Sequence, residues 1–334
     1  TILVTGTNAK TSVVSMAGHL LKKVYGEGEI VCSGNIGRPV LDTISFSNSI
    51  SIVELSSFHL ELSEFISSDI AVLLNIDQDH LDRHFSLGAY SQIKQKILKK
   101  TRIGLVGLHS LNPELLTHEN IYHFEDLLDP IEEDISALIN KDWPFHEIKN
   151  LKAVIAIYIA MENLNGRLDI NNLKESDMDQ IKKNIFHVNS FERLSHRYEF
   201  LGVKKGVTFI NDSKSTNLSS LSAALDSAKR QFGKRKVLLI CGGDSKGQDF
   251  SKIPKRFLDS VKQLFIFGKD SQYILSKLKN KVECTIVKDL EQALIYARSS
   301  SKKGEVILLS PACSSTDMFS NYRERGEKFR KLAG

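Results

Sequence analysis

Ile2-Leu3-Val4-Thr5-Gly6-Thr7-Asn8-Ala9-Lys10-Thr11-Ser12-Val13-Val14 decides the fold class. Its first four residues are β-rich. After the turn, Val13, Val14, Ala17, Leu20, Leu21 and Val24 recur at helical spacing. A strand that passes through a short turn into a helix is the building unit of a parallel α/β sheet. The turn itself, Gly6 to Thr11, opens the helix, where unpaired N–H groups and a partial positive charge suit a phosphate. In that reading Gly6, Thr7, Asn8 and Ala9 cradle the anion and Lys10 reaches the β- and γ-phosphates, while Thr11 or Ser12 ligates Mg²⁺. The generic G-x-x-x-x-G-K-[ST] pattern is not met, because Val4 and Ala9 occupy its glycine positions. A plain strand-to-helix turn with an incidental lysine is the alternative.

Outward from this turn the same alternation continues. Apolar runs at Ile50–Leu55, Ile70–Ile76 and Ile103–Leu108 do not alternate with polar residues, as expected of buried parallel strands. The spacing predicts helices over Ser86–Lys100 and Lys149–Asn163, and an amphipathic segment over Met178–Phe186. Residues 109–145 are polar and irregular, hold the sole Trp (Trp143), and are expected to be peripheral. From Leu201 a second series begins. Strands are expected at Val207–Asn211, Lys236–Cys241, Gln263–Phe267, Cys284–Val287 and Glu305–Leu309. Helices are expected at Asn217–Phe232, Ser251–Val261, Ser271–Leu278, Leu290–Ser300 and Asp317–Leu332. Two α/β domains with parallel sheets follow, residues 1–190 and 191–334, divided near Val188–Leu194.

Composition narrows the function classes. The chain has 334 residues, enough for about two domains. With 41% hydrophobic and 25% charged residues it is an ordinary globular sequence. The longest wholly apolar run, Ala153–Met161, is far short of the ~18 residues of a membrane span. Lys+Arg 45 against Asp+Glu 40 gives a net charge of +5, which suits a protein that handles phosphates. No basic stripe interleaved with aromatic residues is present, so no nucleic-acid partner is expected. Cys32, Cys241, Cys284 and Cys313 are scattered, which fits free thiols in a reducing cytosol. The sequence starts at Thr1 inside a strand pattern, without an initiator Met or signal peptide, so it is expected to begin within a larger protein.

Further chemistry gathers where strands end. Glu54, in Ile52-Val53-Glu54-Leu55-Ser56-Ser57-Phe58-His59-Leu60-Glu61, closes an apolar strand. A buried carboxylate there needs a partner, either a metal ion or a neighbouring lysine. Asn75-Ile76-Asp77-Gln78-Asp79-His80-Leu81-Asp82-Arg83-His84 offers a second edge rich in Asp and His, either metal-binding or merely solvated. In the second half, the loops Asn211–Asn217, Gly242–Phe250 and Ser310–Asp317 each leave a strand and enter a helix. Together they bring two lysines and many hydroxyls to one sheet edge, a good anion-binding set. N-capping alone would explain any single one of them.

The order GTNAKT, GNIG (Gly34–Gly37), VELSSFHLE, NIDQDHLDRH, HRYEF (His196–Phe200), NDSKSTN, GGDSKGQDF and SPACSSTDMFSNYRERGEKF resembles the ATP-dependent Mur ligases of peptidoglycan synthesis along nearly the whole chain. The last block is most similar to the D-glutamate-adding members. The resemblance implies a P-loop-type parallel-sheet ATPase domain followed by a Rossmann-like α/β domain, which close over the substrates. It implies a cytoplasmic, monomeric enzyme that uses ATP and two Mg²⁺ ions to join UDP-N-acetylmuramoyl-L-alanine and D-glutamate through an acyl phosphate.

By motif position, the resemblance places Lys10, Thr11 and Ser12 at the phosphates and Mg²⁺, Asn35 in the active site, and Glu54 and His80 on Mg²⁺. Lys94, in Tyr90-x-x-x-Lys94, stands where the family carries a lysine carbamate. Asn150 falls on the adenine-side motif and Arg197 on an ATP-binding Arg. Lys214, Thr216, Lys246, Ser315, Thr316 and Tyr322 match positions that hold D-glutamate or the reacting groups. Departures are Ala9 for Gly, Glu147 for the first Asn of H-N-x-x-N, His59 for Gln and Tyr322 for Phe, together with the family's N-terminal UDP-binding domain, which would precede Thr1. The chain as given is therefore expected to bind ATP without ligating. Ala9 is expected to weaken ATP binding if its φ is positive. Alternatives are a sister Mur or folylpolyglutamate-type ligase and a non-catalytic nucleotide-binding relative.

Overall fold

A computed structural model describes residues 1–43, 50–79, 81–107, 119–129 and 143–334, with Leu81 and Asp82 described in their backbone only. The chain divides into two compact units: residues 1–143 with 147–192, and residues 144–146 with 193–334. Pro144–His146 thus clusters with the second unit, although the sequence pattern runs it into the first.

The first unit is a sheet of strands β1 (Ile2–Thr5), β2 (Ile30–Gly34), β3 (Ile50–Glu54), β4 (Ser68–Leu73), β5 (Thr101–Val106) and β6 (Ile121–His123). Their order is β2-β3-β1-β4-β5-β6 and every pairing is parallel. Helix α1 (Lys10–Tyr25) covers one face, burying Val13, Val14, Met16, Ala17, Leu20 and Leu21. The opposite face packs Leu3, Val53, Ala71, Leu73 and Val106 over Leu60, Ile97 and Leu98, from α2 (Ser57–Leu62) and the turn that follows α4 (Leu87–Gln95). The short helix α3 (Leu81–His84) precedes α4. Each fully buried Leu or Ile removes apolar area worth about 1.5–3 kcal/mol from water, before entropy.

Residues 109–145 are not all peripheral, contrary to the composition. Among the described ones, β6 joins the sheet and α5 (Phe124–Leu128) buries Phe124 and Leu128, while Trp143 enters the same core. Helix α6 (Phe145–Leu164) is buried nearly all round from Leu151 to Met161, which is why its apolar run is so continuous. The amphipathic segment becomes α7 (Glu175–Ile185). No helix among the described residues is long and apolar enough to cross a membrane.

The second unit is a sheet of β7 (Glu199–Lys204), β8 (Val207–Asn211), β9 (Val237–Gly242), β10 (Val261–Phe267), β11 (Cys284–Ile286) and β12 (Val306–Leu309). Its order is β11-β10-β9-β12-β8-β7. The sheet is mixed rather than wholly parallel, because β7 pairs antiparallel with β8 as a bulged edge strand. A four-residue-or-shorter connection cannot make a parallel crossover, so the hairpin Lys204–Val207 forces that orientation. Along β9, Val237, Leu239 and Cys241 face one core while Leu238 and Ile240 face the other. Both faces are covered, by α8 (Leu218–Phe232), α10 (Ser271–Leu278), α11 (Leu290–Ser300) and α12 (Tyr322–Ala333), with the short α9 (Lys255–Leu258) between α8 and α10 in the chain. The helix expected over Ser251–Val261 is only a 3-10 turn plus α9, since Val261 already starts a strand. The last helix begins at Tyr322, not Asp317. Strand β12 returns between β9 and β8, so the loops that follow these three strands lie side by side at their C-terminal ends. Such a reversal of strand order is where α/β sheets open a crevice for ligands.

Candidate active site

In the first unit the loop after β1 is pinned to the end of β4. Thr7 N donates to Asn75 O at 2.9 Å, and Asn8 N donates to Asn75 Oδ1 at 2.8 Å. Asn75 Nδ2 returns a bond to Asn8 O at 3.3 Å, and Asp77 N donates to Thr7 Oγ1 at 2.9 Å. Ala9 sits in the left-handed region at φ 69°, immediately before α1, and its methyl cannot cap the helix. The Lys10 ammonium donates to Gly6 O at 2.8 Å and to Thr7 O at 2.9 Å.

Three further groups stand at the same sheet edge. Glu54 ends β3 and is almost wholly buried. Its Oε1 accepts from Asn35 Nδ2 at 3.0 Å, while its buried Oε2 has no hydrogen-bond partner among the described residues. Gly34 makes this approach possible. It has φ +91°, and a Cβ there would come within 2.3 Å of Glu54 O. Lys94, from α4, is 1% exposed. Its Nζ donates to Gly6 O at 2.9 Å and lies 4.7 Å from the Tyr90 ring centroid. Burial, followed by the positive charge of Lys10, pushes its amine down to about 6.

An orphaned buried carboxylate oxygen and an amine held largely neutral at pH 7 fit a site completed by a hard divalent cation and a modified lysine. Ser12 is buried, with its hydroxyl 3.5 Å from Glu147 Oε1, and Thr11 is half-buried. Glu147 Oε2 accepts from Asn150 Nδ2 at 3.1 Å, so the unexpected acid is tied within the unit together with Asn150. His80 lies outside the described residues.

The second unit gathers its candidates on the three neighbouring loops. Lys214 N donates to His196 O at 3.0 Å, and its Nζ lies 4.2 Å from the Tyr322 ring centroid, a cation–π contact. Thr216 is half-buried, Ser315 is buried, and Lys246 and Thr316 are exposed. Gly243, at φ +130°, lets two of the loops meet, since a Cβ there would fall 2.2 Å from Ser314 O. Arg197 stands between two left-handed residues, His196 at φ 64° and Tyr198 at φ 47°.

The sequence motifs missed the residues that hold these loops. Arg325 is wholly buried. It donates to Ser213 O at 2.8 Å and to Cys313 O at 3.1 Å, and burial pushes it down to about 10. In sequence it looks like part of a surface charge run, Arg323 to Lys328, and only its i+3 spacing from Tyr322 hints otherwise. Asp212 accepts from Tyr198 N at 3.1 Å and from Ser310 Oγ at 2.8 Å. Asp270 accepts from both Ser245 N and Ser245 Oγ at 2.7 Å. His196 Nδ1 accepts from Asn211 Nδ2 at 2.9 Å, and its Nε2 lies 3.3 Å from Glu327 Oε1; burial lowers its affinity for a second proton.

Residues 4–112 match the Mur ligase middle domain, and residues 196–313 match the Mur ligase, glutamate ligase domain. A UDP-N-acetylmuramoylalanine–D-glutamate ligase of Saccharophagus degradans is 34% identical, over 98% of this chain and 72% of that protein. The Francisella tularensis subsp. holarctica protein of that name is 34% identical over 99% and 74%. That of Pseudothermotoga lettingae is 33% identical over 98% and 74%. Among solved structures, the MurF ligase of Thermotoga maritima in complex with ADP superposes with TM-score 0.67 at 17% identity, over 100% of this chain and 81% of that one. The Mycobacterium tuberculosis folylpolyglutamate synthase complexed with ADP and AMPPCP gives 0.59 at 12%, over 93% and 88%. At such identities these two likenesses establish the fold alone.

Proposed function

The chain belongs to the Mur ligase family, and from that premise we propose that it is an ATP-dependent amide ligase of peptidoglycan precursor synthesis, adding D-glutamate to UDP-N-acetylmuramoyl-L-alanine. The observation that carries the substrate assignment is identity of 33–34% to D-glutamate ligases along 98–99% of the chain. The placement of chemistry-bearing side chains supports it: Lys10, Glu54, Lys94, Lys214 and Lys246 all stand at C-terminal strand ends or on elements packed there.

A carboxylate is a poor electrophile. Transfer of the γ-phosphoryl group of ATP to the alanyl carboxylate gives an acyl phosphate and ADP. The free amine of D-glutamate, having lost its proton, then attacks the carbonyl carbon. The tetrahedral intermediate expels phosphate and leaves the amide. Positioning and charge stabilisation do most of the work.

In this reading the backbone N–H groups of Gly6–Thr11 and the Lys10 ammonium hold the transferring phosphates. Asn150 and Arg197 serve the nucleotide. Glu54 and His80, with Thr11, hold two Mg²⁺ ions, which when bound neutralise phosphate charge. Asn35 fixes the Glu54 carboxylate. Lys94 would react as the neutral amine with CO₂, forming an N–C bond and releasing one proton, to give a carbamate whose oxygens would serve as ligands. Lys214, Thr216, Lys246, Ser315, Thr316 and Tyr322 hold the amino acid and the reacting groups. We place the protein in the cytoplasm as a monomer.

Phosphate release from ATP by the full-length protein, given UDP-N-acetylmuramoyl-L-alanine and a panel of amino acids, tests the assignment. D-glutamate is the expected co-substrate. Turnover with a different amino acid would move the protein to a sister ligase, and binding without turnover would make it a non-catalytic relative.

A further inference from the structure

Gln248 lies in none of the positions assigned above, yet its side-chain amide touches all three candidate loops of the second unit. Its Oε1 accepts from Leu218 N at 2.8 Å, at the start of α8. Its Nε2 donates to Ser245 O at 2.9 Å, to Ala312 O at 3.2 Å and, at the limit of bonding, to Thr216 O at 3.4 Å. The orientation of the amide is fixed by its partners, because an N–H faces one end and carbonyls face the other. Two N–H groups serve three acceptors, so the donors are fully used. The backbone around Gln248 is itself held, with its N donating to Ser245 O at 3.1 Å and its O accepting from Tyr273 OH at 3.1 Å.

Each contact lands next to a residue that the amino-acid reading uses. Thr216 is bonded directly, Ser245 precedes Lys246, and Ala312 lies three residues before Ser315. Ala312 is also left-handed, at φ 57°, a conformation an alanine keeps only when its surroundings impose it. We infer that Gln248 is a positioning residue: one amide clamps the three loops in mutual register and so sets the spacing of the groups that receive the incoming amino acid. The inference rests on the ligase reading for its kinetic consequence but not for the clamp itself. A glutamine is suited to this as no charged side chain is, since its amide offers an acceptor and donors in one rigid plane.

Two substitutions separate the parts of the clamp. Gln248→Met keeps length and volume but no hydrogen bond. Gln248→Glu keeps the acceptor for Leu218 N and sets a carboxylate oxygen against the three carbonyls. Hydrogen exchange of the Leu218 amide on this chain should speed up in Gln248→Met and stay near native in Gln248→Glu. In ligation assays of the full-length protein both variants should raise the D-glutamate KM by about tenfold, each tenfold corresponding to ~1.4 kcal/mol. The ATP KM should stay within about twofold. Unchanged Leu218 exchange in Gln248→Met would overturn the clamp. Lost protection with an unchanged D-glutamate KM would overturn the positioning role, as would a parallel rise of both KM values, which marks general loosening. If the native protein ignores D-glutamate altogether, the ligase reading fails while the exchange comparison still decides the clamp.

Discussion

The two sheet edges solve the same problem in opposite ways. In the first unit the groups that carry chemistry are themselves buried. Glu54 and Lys94 are almost without exposure, and burial pushes the Lys94 amine down. In the second unit Lys246 and Thr316 are exposed and Lys214 is half-buried, while the buried Arg325 and Asp212 hold backbone groups and serine hydroxyls of the loops. The first edge therefore buries its chemistry, and the second leaves much of it accessible and fixes position. Loss of a buried group should act on chemistry at the first edge and on stability or register at the second.

The largest effect is expected at Lys94. Lys94→Ala in the full-length protein should lower kcat by more than about a hundredfold, at least ~2.7 kcal/mol of transition-state stabilisation. Part of the activity should return with acetate or another short carboxylate, which replaces the lost oxygen ligand. ¹³C-bicarbonate NMR should show a carbamate carbon in the native protein that is missing from the variant. Full activity of Lys94→Ala without additive would erase the contrast between the two edges.

Arg325 is the counterpart. Arg325→Met leaves Ser213 O and Cys313 O buried without donors, which costs about 1–3 kcal/mol for each lost group. Denaturant unfolding should report a loss of about 2–6 kcal/mol from the second unit, with the first unit's transition unmoved. A stable variant with normal D-glutamate KM would show that burial there is incidental.

What the sequence made legible follows the same division. Apolar runs without alternation announced β1, β3, β4, β9 and β12, because strands buried on both faces leave little else to write. Strand-end motifs announced Glu54, Lys214 and Lys246, whereas Lys94, on a helix, reads as a surface lysine without the family resemblance. Three strands went unseen for physical reasons. β2 has only two residues of strong apolar character, Ile30 and Val31, before Cys32, Ser33 and Gly34. β7 is an edge with Phe200 and Val203 exposed, and β6 is only three residues long. Arg325 and Gln248 were illegible because holding a backbone carbonyl has no local signature; the partners of Arg325 lie up to 112 residues away.

The burial of Lys94 also has a pH signature. Its folded-state pKa, about 6, lies below the 10.5 of a free lysine. Between those values the unfolded chain binds the extra proton and the folded chain does not. Stability from this group thus rises with pH from about 6 to about 10, and falls as pH drops toward 6. The slope is at most about 1.4 kcal/mol per pH unit. In CO₂-free buffer, Lys94→Met should be stabilised relative to the native chain, by more at pH 7 than at pH 9. An equal difference at both pH values would mean that the amine is solvated.

The smallest effect concerns Ala9, and its sign depends on when strain is met. At φ 69° the alanine costs roughly 1–2 kcal/mol relative to an unstrained backbone. Where the loop keeps this conformation with and without nucleotide, that cost falls on folding and cancels from ATP binding. A fall in ATP KM in Ala9→Gly is then limited to whatever crowding the methyl exerts on the phosphate, and stability is the more direct readout. Glycine relieves the strain but loses more entropy on folding, about 0.4–1 kcal/mol. Ala9→Gly should therefore stabilise the first unit by about 1 kcal/mol or less in denaturant unfolding, with the ATP KM lowered several-fold at most. A tenfold lower ATP KM with unchanged stability would place the alanine's cost at the phosphate instead. The loop would then have to change its backbone on binding, and the first edge would depend on motion as well as on burial.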